Sequence, residues 1–317
     1  MRPSSVNSGV AGEAGIIRAG TNASRAAMNS KILRILTLMS LCFLPAMVAY
    51  AASLEFRLVA TSAENLAEPH DIVLSPDAEH LFVADNGNNR IVVLDAATLR
   101  EVGVFGHGEL AGPHDVVFDR IGRLLVADTH NHRIVIYEID GFDGRLVGSL
   151  QGRIRAPEGV GIHADGRIFA TGAASGNLVV FDGANVVGEV GGFSSPHDVE
   201  FDSSGRTWVA DAANNRVVRL NAALEIDLVL SGSPYAFSGP RYLDFDSAGR
   251  LYVADKYSNQ VKIIAPDGEL LHVLGTGDAG KGEGAFRNPE GVEIRGQDVW
   301  VSDTYSNRIV RYRLTGP

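Results

Sequence analysis

The sequence predicts an all-β fold, a six-bladed β-propeller with four strands in each blade. Three observations support this fold class: a phrase that recurs along the chain, short apolar runs within each recurrence, and chain ends that complement each other. The phrase opens at six prolines, Pro69, Pro113, Pro157, Pro196, Pro240 and Pro289, at intervals of 39 to 49 residues. Six copies at such a period are typical of propellers and solenoids.

Each copy contains four short apolar runs, rich in Val, Ile, Leu and Phe and separated by Gly, Asp, Asn and Pro. In the first copy, the first three runs cover 69–74, 81–85 and 89–94. Runs of this length and composition indicate β-strands, and no amphipathic run of helix length interrupts them. Turns such as Asp165-Gly166-Arg167 place glycine where a tight hairpin needs a positive φ. Four strands per copy are the pattern of a propeller blade.

The two ends of the repeat region complement each other. The last copy stops after its third strand, at 308–314, and a spare strand at 54–60 precedes the first copy. We expect these two segments to pair, because a closed ring removes the open sheet edges that invite aggregation. The N-terminal strand is therefore predicted to complete the last blade and close the propeller.

Residues 1–51 differ from the repeats and have the order of a secretory signal peptide. Lys31 and Arg34 are followed by an apolar run at 35–48 and then by Ala49-Tyr50-Ala51, a small-residue cleavage pattern. The run is shorter than the roughly 20 residues that a membrane span requires. We predict cleavage after Ala51, export to the periplasm or the extracellular space, and no membrane span after cleavage.

Composition restricts the partners of the predicted mature domain, 52–317. The whole chain has 317 residues and a formal charge of −10, and removal of residues 1–51 leaves 23 basic and 37 acidic residues. Nucleic acid is not an expected partner, because phosphate binding needs clustered Lys and Arg. The single cysteine, Cys42, lies in the apolar run, so the mature domain has no disulfide and no thiolate metal site. We expect a monomer, and Met28 is an alternative start to Met1.

A second phrase, Asp-x-x-Asn-x-Arg, follows the second strand at 85–90, 128–133 and 211–216, and related forms with the asparagine displaced by one residue occur at 255–260 and 303–308. Because most copies carry it, we expect these side chains to bond turns and neighbouring strands rather than to form a chemical site. With the proline phrase and the Asp-Gly turns, it makes residues 54–317 resemble the NHL repeat family. The resemblance implies a propeller fold and says little about function.

The residue after each repeat proline differs between copies, and it opens the strand that lines the central channel. These residues are His70, His114, Glu158, His197, Arg241 and Glu290. Imidazole and carboxylate suit zinc, and three protein ligands with an open position are typical of a catalytic site. Alternate blades offer His114, His197 and Glu290, or His70, Glu158 and Arg241; the three histidines together are a further set. The alternative is that these histidines bond only water or nearby carboxylates.

A narrower resemblance concerns the Pro-His pairs. The segments 69–72, 113–116 and 196–199 are similar to the inner-strand motif of the peptidyl-α-hydroxyglycine α-amidating lyases (peptidylamidoglycolate lyases), six-bladed propellers with a channel zinc. The resemblance implies zinc bound by His70, His114 and His197. Segments 255–259 and 303–307 resemble the tyrosine turn of those enzymes, which implies a catalytic role for Tyr257 or Tyr305 and for Arg241. In those lyases the histidines lie on alternate blades, whereas here Glu290 fills the third alternate position.

Two functions from different classes follow. The first is a metal-dependent lyase or hydrolase that acts on a small polar or peptide-like substrate at one channel mouth. His70, His114, His197 and Glu290 are its candidate ligands for a divalent metal, with zinc favoured; Tyr257 and Tyr305 are its candidate acid–base residues, and Arg241 would bind a carboxylate. The second is a non-catalytic platform that binds a protein or ligand on the propeller rim, since loops on rigid scaffolds often carry recognition.

Overall fold

The computed structural model describes residues 54–282 and 284–316. In these residues 24 strands form six antiparallel sheets of four strands each, which are the predicted blades. The predicted signal peptide lies outside the described residues. Within them, no helix has the length and apolar character that a membrane crossing requires.

The first three blades each run from an inner strand to an outer strand in chain order. Blade 1 consists of β2 (Pro69–Leu74), β3 (His80–Asp85), β4 (Arg90–Asp95) and β5 (Glu101–Phe105). Blade 2 consists of β6 (Pro113–Phe118), β7 (Arg123–Asp128), β8 (Arg133–Asp140) and β9 (Asp143–Leu150). Blade 3 consists of β10 (Pro157–Ile162), β11 (Ile168–Gly172), β12 (Asn177–Asp182) and β13 (Asn185–Gly191).

Blades 4 and 5 repeat this order, and blade 6 takes its outer strand from the beginning of the described chain. Blade 4 consists of β14 (Pro196–Phe201), β15 (Thr207–Asp211), β16 (Arg216–Leu220) and β17 (Ile226–Ser231). Blade 5 consists of β18 (Pro240–Phe245), β19 (Leu251–Asp255), β20 (Gln260–Ile264) and β21 (Leu270–Leu274). Blade 6 consists of β22 (Val292–Arg295), β23 (Asp298–Asp303), β24 (Arg308–Leu314) and β1 (Phe56–Thr61).

Ring closure by the N-terminal strand is confirmed. Strand β1 pairs with β24 in antiparallel register, with Phe56 opposite Leu314. The strand begins at Phe56 rather than at the predicted residue 54, and Leu54 instead packs into the apolar layer beside blade 6. The pairing covers the edge of β24 that the last copy leaves open.

The hydrophobic core lies between blades. Six apolar clusters each join two neighbouring blades, and one of them packs Ile72 and Val83 of blade 1 against Trp300 and Ile309 of blade 6. The alternation along each strand produces this arrangement, because successive side chains point to opposite faces of a sheet and both faces meet a neighbour. Burial therefore continues across the junction between the first and last blades.

The recurring Asp-x-x-Asn-x-Arg phrase is structural, as predicted. The buried Asp85 carboxylate accepts hydrogen bonds from Ala67 N at 2.7 Å, Asn88 Nδ2 at 2.9 Å and Arg90 Nε at 2.6 Å. Equivalent bonds tie Asp128 and Asp211 to their own turns. Each set fixes a short 3₁₀ turn at the end of the second strand, at the same edge of every blade that has the phrase.

Candidate functional site

The six residues after the repeat prolines come together in the channel, as predicted. We call them the channel cluster: His70, His114, Glu158, His197, Arg241 and Glu290. The first five belong to the inner strands β2, β6, β10, β14 and β18, and Glu290 lies just before β22. Glu290 is completely buried. Among the side chains of the cluster that form ion pairs, Glu158 is the most accessible, and even its side chain is only 15% exposed.

Glu158 lies between two histidines of neighbouring blades. Its Oε2 atom is 2.5 Å from His197 Nε2, and its Oε1 atom is 3.9 Å from His114 Nε2. The Oε2 atom is buried and has no contact with hydrogen-bond geometry. Two imidazole nitrogens therefore face the two oxygens of one carboxylate.

The other ring nitrogen of each histidine faces the backbone. His114 Nδ1 lies 2.9 Å from the Gly112 carbonyl oxygen and 2.9 Å from Thr129 Oγ1, which donates its own proton to Pro157 O. The Gly112 carbonyl can only accept, which favours a proton on Nδ1, whereas the Asn86 Nδ2 amide, 3.0 Å from the same nitrogen, can only donate and favours a lone pair there. His197 Nδ1 lies 3.1 Å from the Ser195 carbonyl oxygen and 2.7 Å from Arg241 Nη1, and Arg241 Nη1 also contacts His197 Nε2.

Electrostatics keep His114 neutral and Glu158 ionised. Burial, reinforced by neighbouring His70, lowers the pKa of His114 to about 3. Burial alone would raise the pKa of Glu158, but its contact with His197, together with His114 and Arg241, outweighs burial and lowers this pKa to about 2. A negative carboxylate beside a neutral imidazole forms an arrangement that attracts a cation.

Glu290 and His70 form a separate part of the channel cluster with Lys256, the first residue after β19. Lys256 Nζ is 2.5 Å from Glu290 Oε1, and His70 Nδ1 is 3.2 Å from Glu290 Oε2. The His70 ring meets the His114 ring edge to face, with 4.1 Å between centroids. Burial, followed by the charge of Lys256, holds the pKa of His70 well below its usual range.

Arg241 and Tyr257 stand at the mouth of the channel. Arg241 Nη1 contacts His197, its Nη2 donates to the Tyr257 hydroxyl at 3.3 Å, and its buried Nε has no hydrogen-bond partner. Both side chains line a cavity of about 460 Å³, whose lining also includes the small residues Ala212 and Ala213. Tyr257 is 58% exposed, so its ring is accessible from this cavity.

Tyr305 occupies in blade 6 the place that Tyr257 occupies in blade 5. It is 45% exposed, and its ring centroid is 5.3 Å from Lys256 Nζ. The ring centroid of Tyr257 is 5.6 Å from the same nitrogen. The structure therefore brings both predicted tyrosines to the mouth, on either side of a lysine.

The predicted metal ligands do not by themselves form a compact ligand group. In the described part of the chain, the one group whose three ligand atoms all lie within 4.8 Å of one another is Asp77 and Glu79, on the turn between β2 and β3, with His80 at the start of β3. That small acidic and histidine group could hold a metal ion at the surface. The set His70, His114, His197 and Glu290 stays a prediction. One of its members, Glu290, forms an ion pair with Lys256.

A second layer of acidic side chains lies deeper along the inner strands. We call it the acidic layer: Asp71, Asp115, Asp198, Glu200, Asp244 and Glu293, which line a cavity of about 30 Å³. Several of them bond the next blade, as when Asp198 accepts from Leu243 N at 2.7 Å and Asp244 from Ile294 N at 2.6 Å. Burial raises the pKa of Glu200 to about 8 and that of Asp115 to about 7. These carboxyl groups therefore connect the inner strands around the ring.

Sequence reasoning identified the ring positions and missed two features. It did not single out Lys256. Among the 3₁₀ turns of the described residues, the one after β19 alone begins with a charged residue, and that residue is Lys256. Sequence reasoning also did not identify Glu158 as the carboxylate shared by His114 and His197. The spacing of the repeats predicts which residues lie in the channel, but it does not predict which of these residues contact each other.

Comparison with known proteins agrees with this architecture. The family model of the NHL repeat matches residues 66–94 and 110–137. A streptogramin B lyase structure is similar over 83% of this chain and 98% of its own, at 14% identity and a TM-score of 0.60. Virginiamycin B lyase from Staphylococcus aureus covers 83% of this chain and 99% of its own, at 14% identity and a TM-score of 0.59. A candidate gluconolactonase covers 83% of this chain and 93% of its own, at 15% identity and a TM-score of 0.63. Such identities show the fold alone, and the chain is therefore a six-bladed β-propeller in which the segments 66–94 and 110–137 match the NHL repeat.

Proposed function

We propose that this propeller is a metal-dependent lyase or hydrolase whose active site is the channel mouth. The observation that supports it best is the arrangement around Glu158. His114 and His197 both turn Nδ1 towards a backbone carbonyl and Nε2 towards this carboxylate. Glu158 thus joins the two histidines as the third ligand in this proposal, in place of His70 or Glu290.

The donor set suits a divalent ion such as zinc. Metal-binding histidines usually donate their second N–H to a carbonyl or carboxylate, which orients the ring and fixes the tautomer. Two imidazoles and one carboxylate are a common catalytic zinc set. When bound, the ion would polarise a substrate oxygen or lower the pKa of a water molecule. The Glu158 Oε2 atom is buried and its one close contact is the ion-pair contact with His197 Nε2, so it is available to a cation.

Arg241 would bind a carboxylate of the substrate. Its Nη1 is occupied by His197, whereas Nε lacks a partner and Nη2 makes only the 3.3 Å bond to Tyr257. The unpaired Nε and the second N–H of Nη2 are adjacent donors that would match the two oxygens of a carboxylate. The adjoining cavity of about 460 Å³ accommodates a small polar or peptide-like molecule.

Tyr257 would transfer the proton. Its hydroxyl contacts the guanidinium that holds the substrate, and its ring is accessible from the mouth. Tyr305 is the alternative, because it lies at the same level on the other side of Lys256. At the level of fold analogy, the similar propellers named as lyases also favour an enzyme, although a fold hosts many functions.

Metal analysis of the purified protein tests this proposal. We expect about one zinc or similar ion per chain, lost in the His114→Ala/His197→Ala variant and weakened in Glu158→Gln. His80→Ala is the matched control, since it removes a ligand of the exposed Asp77, Glu79 and His80 group and leaves the channel intact. A metal lost only in His80→Ala would place the ion on the turn, and no metal in any sample would favour the binding platform instead.

Activity is tested separately, with α-hydroxyglycine peptides as the first substrates because of the three Pro-His segments. Lactones and other small carboxylates follow, with the His114→Ala/His197→Ala variant as the inactive control.

We also propose that the protein is exported, on the basis of the pattern at 31–51. N-terminal sequencing of the protein from the culture medium and the periplasm should begin at Ala52. Recovery only of the uncleaved chain in the cytoplasm would contradict export.

A further inference from the structure

Lys256 breaks the repeat at a position that faces the channel. The first residues of the 3₁₀ turns in the described chain are Asn86, Thr129, Ala212, Lys256 and Thr304. Thr129 and Thr304 each donate to the proline carbonyl that opens the next inner strand, at 2.6 and 2.8 Å. Lys256 instead reaches one residue further, to the carboxylate of Glu290.

The Lys256 ammonium group is held firmly in this place. The residue is 8% exposed, and the rings of Tyr257 and Tyr305 lie on two sides of Nζ at 5.6 and 5.3 Å. Cation–π contacts of this length stabilise a lysine that has lost most of its water. Glu290, with no exposed surface, depends on this ammonium and on His70 for its contacts.

The charges of the site balance because of Lys256. Two carboxylates, Glu158 and Glu290, are matched by two cations, Arg241 and Lys256. A divalent ion entering beside Glu158 is repelled by both cations, and the charge of Glu290 is already neutralised by the adjacent ammonium. Because the interior screens charge weakly, one buried unit charge changes the affinity for a divalent ion strongly.

We propose that Lys256 keeps Glu290 out of the metal's coordination and thereby lowers the affinity of the channel for a divalent ion. The inference rests on the proposed function, since it assumes that an ion binds at His114, Glu158 and His197. Lys256 is a positioning residue in this account. Its replacement by a neutral side chain releases Glu290 as an additional ligand and removes one repulsive charge.

Zinc titration of the purified protein by calorimetry tests the proposal. We expect Lys256→Met to bind zinc at least about tenfold more tightly than the wild type. Lys256→Arg, which keeps the charge, should retain wild-type affinity. Lys281→Met is the charge-matched control, because it also removes one positive charge, from an exposed lysine that pairs with the exposed Glu64 and not with the channel cluster. The absorption spectrum of the cobalt form should change in Lys256→Met and not in Lys281→Met.

A second variant separates metal binding from folding. Lys256→Met leaves Glu290 without its cation, so the metal-free variant should melt at a lower temperature and recover when zinc is added. Lys256→Met/Glu290→Gln removes both charges, folds without that penalty, and should return the zinc affinity to within about threefold of wild type.

The outcomes distinguish the two proposals. If the wild type binds zinc and Lys256→Met binds it with the same affinity, the role of Lys256 is overturned, while the metal-dependent function stands. The same holds if Lys256→Met/Glu290→Gln folds and still binds zinc as tightly as Lys256→Met. Tight binding in Lys256→Arg as well would also overturn it, because the effect would then be steric. Absence of zinc binding in the wild type and in every variant overturns both this inference and the metal-dependent function.

Discussion

His132 takes the place of a repeated asparagine and supplies the same hydrogen-bond acceptor. It occupies the left-handed position that asparagine takes in four other blades, at Asn89, Asn215, Asn259 and Asn307, with φ between 51° and 56°. In blade 1 the Asn89 side-chain oxygen accepts from Gly112 N of the next blade at 2.7 Å, and in blade 2 His132 Nδ1 accepts from Ala156 N at 3.0 Å. Both side chains therefore tie one blade to the next.

This equivalence predicts the stability of His132 variants. His132→Asn should keep the free energy of unfolding within about 0.5 kcal/mol, because asparagine supplies the same acceptor and tolerates the same φ. His132→Ala should lose about 1–2 kcal/mol, because Ala156 N loses its partner and alanine disfavours positive φ. Urea denaturation measures both, and equal losses in the two variants would contradict the acceptor role.

The fork of Arg241 gives a second prediction at the residue scale. Arg241→Lys keeps the charge but has no paired donors, so binding of benzoate, a probe carboxylate, should weaken about tenfold, equal to about 1.4 kcal/mol. Metal content should not change, since Arg241 is not a ligand in the proposal. Calorimetric titration gives the affinity, and unchanged benzoate binding would rule out the carboxylate fork.

At the scale of elements, the inner strands are joined by carboxyl groups that favour their protonated form. Burial raises the pKa of Glu200 from 4.5 to about 8, and burial with neighbouring carboxyl charges holds the pKa of Asp244 and Glu293 well above the usual range. A group with a raised pKa binds its proton more tightly in the folded state than in the unfolded state. Its contribution to stability is therefore complete below pH 4.5 and is lost as the pH rises through about 8.

Glu200→Gln tests this pH dependence. The amide resembles the protonated acid, so the variant should lose less free energy of unfolding than the wild type between pH 6 and about 9. The control is Glu269→Gln, a change at an exposed position. Denaturation curves at several pH values compare the slopes, and parallel slopes for wild type and Glu200→Gln would show that Glu200 titrates normally.

The closing strand β1 is the element with the largest effect on the ring. Removal of residues 52–61 exposes the edge of β24 from Val310 to Leu314 and uncovers the apolar cluster against which Phe56 and Leu58 pack. We expect the shortened chain to form dimers or aggregates, because an open edge pairs with other chains. Size-exclusion chromatography measures this, and a synthetic peptide of residues 52–63 should restore the monomer by adding the missing strand.

At the scale of the whole molecule, the sequence predicts the ring better than the site. Pro69 and its five counterparts place the inner strands, and alternation decides which side chains reach the core, because both depend on local geometry. The pairing of Glu158 with His197, and of Glu290 with Lys256, crosses blades that lie 39 and 34 residues apart in sequence. Such pairs depend on side-chain rotamers in the assembled channel, which periodicity does not encode.

The register of the closing sheet has a topological consequence. Because Phe56 lies opposite Leu314, the first and last strands meet as the two arms of a hairpin would, with only their connecting turn absent. A short loop joining them would make the backbone of the propeller a continuous circle, and that circle could be opened at any exposed loop between blades. Circular permutation therefore preserves every strand pairing of this fold. The blade with which the chain begins can therefore be changed, while the order of the blades around the axis is set by the contacts between neighbouring blades.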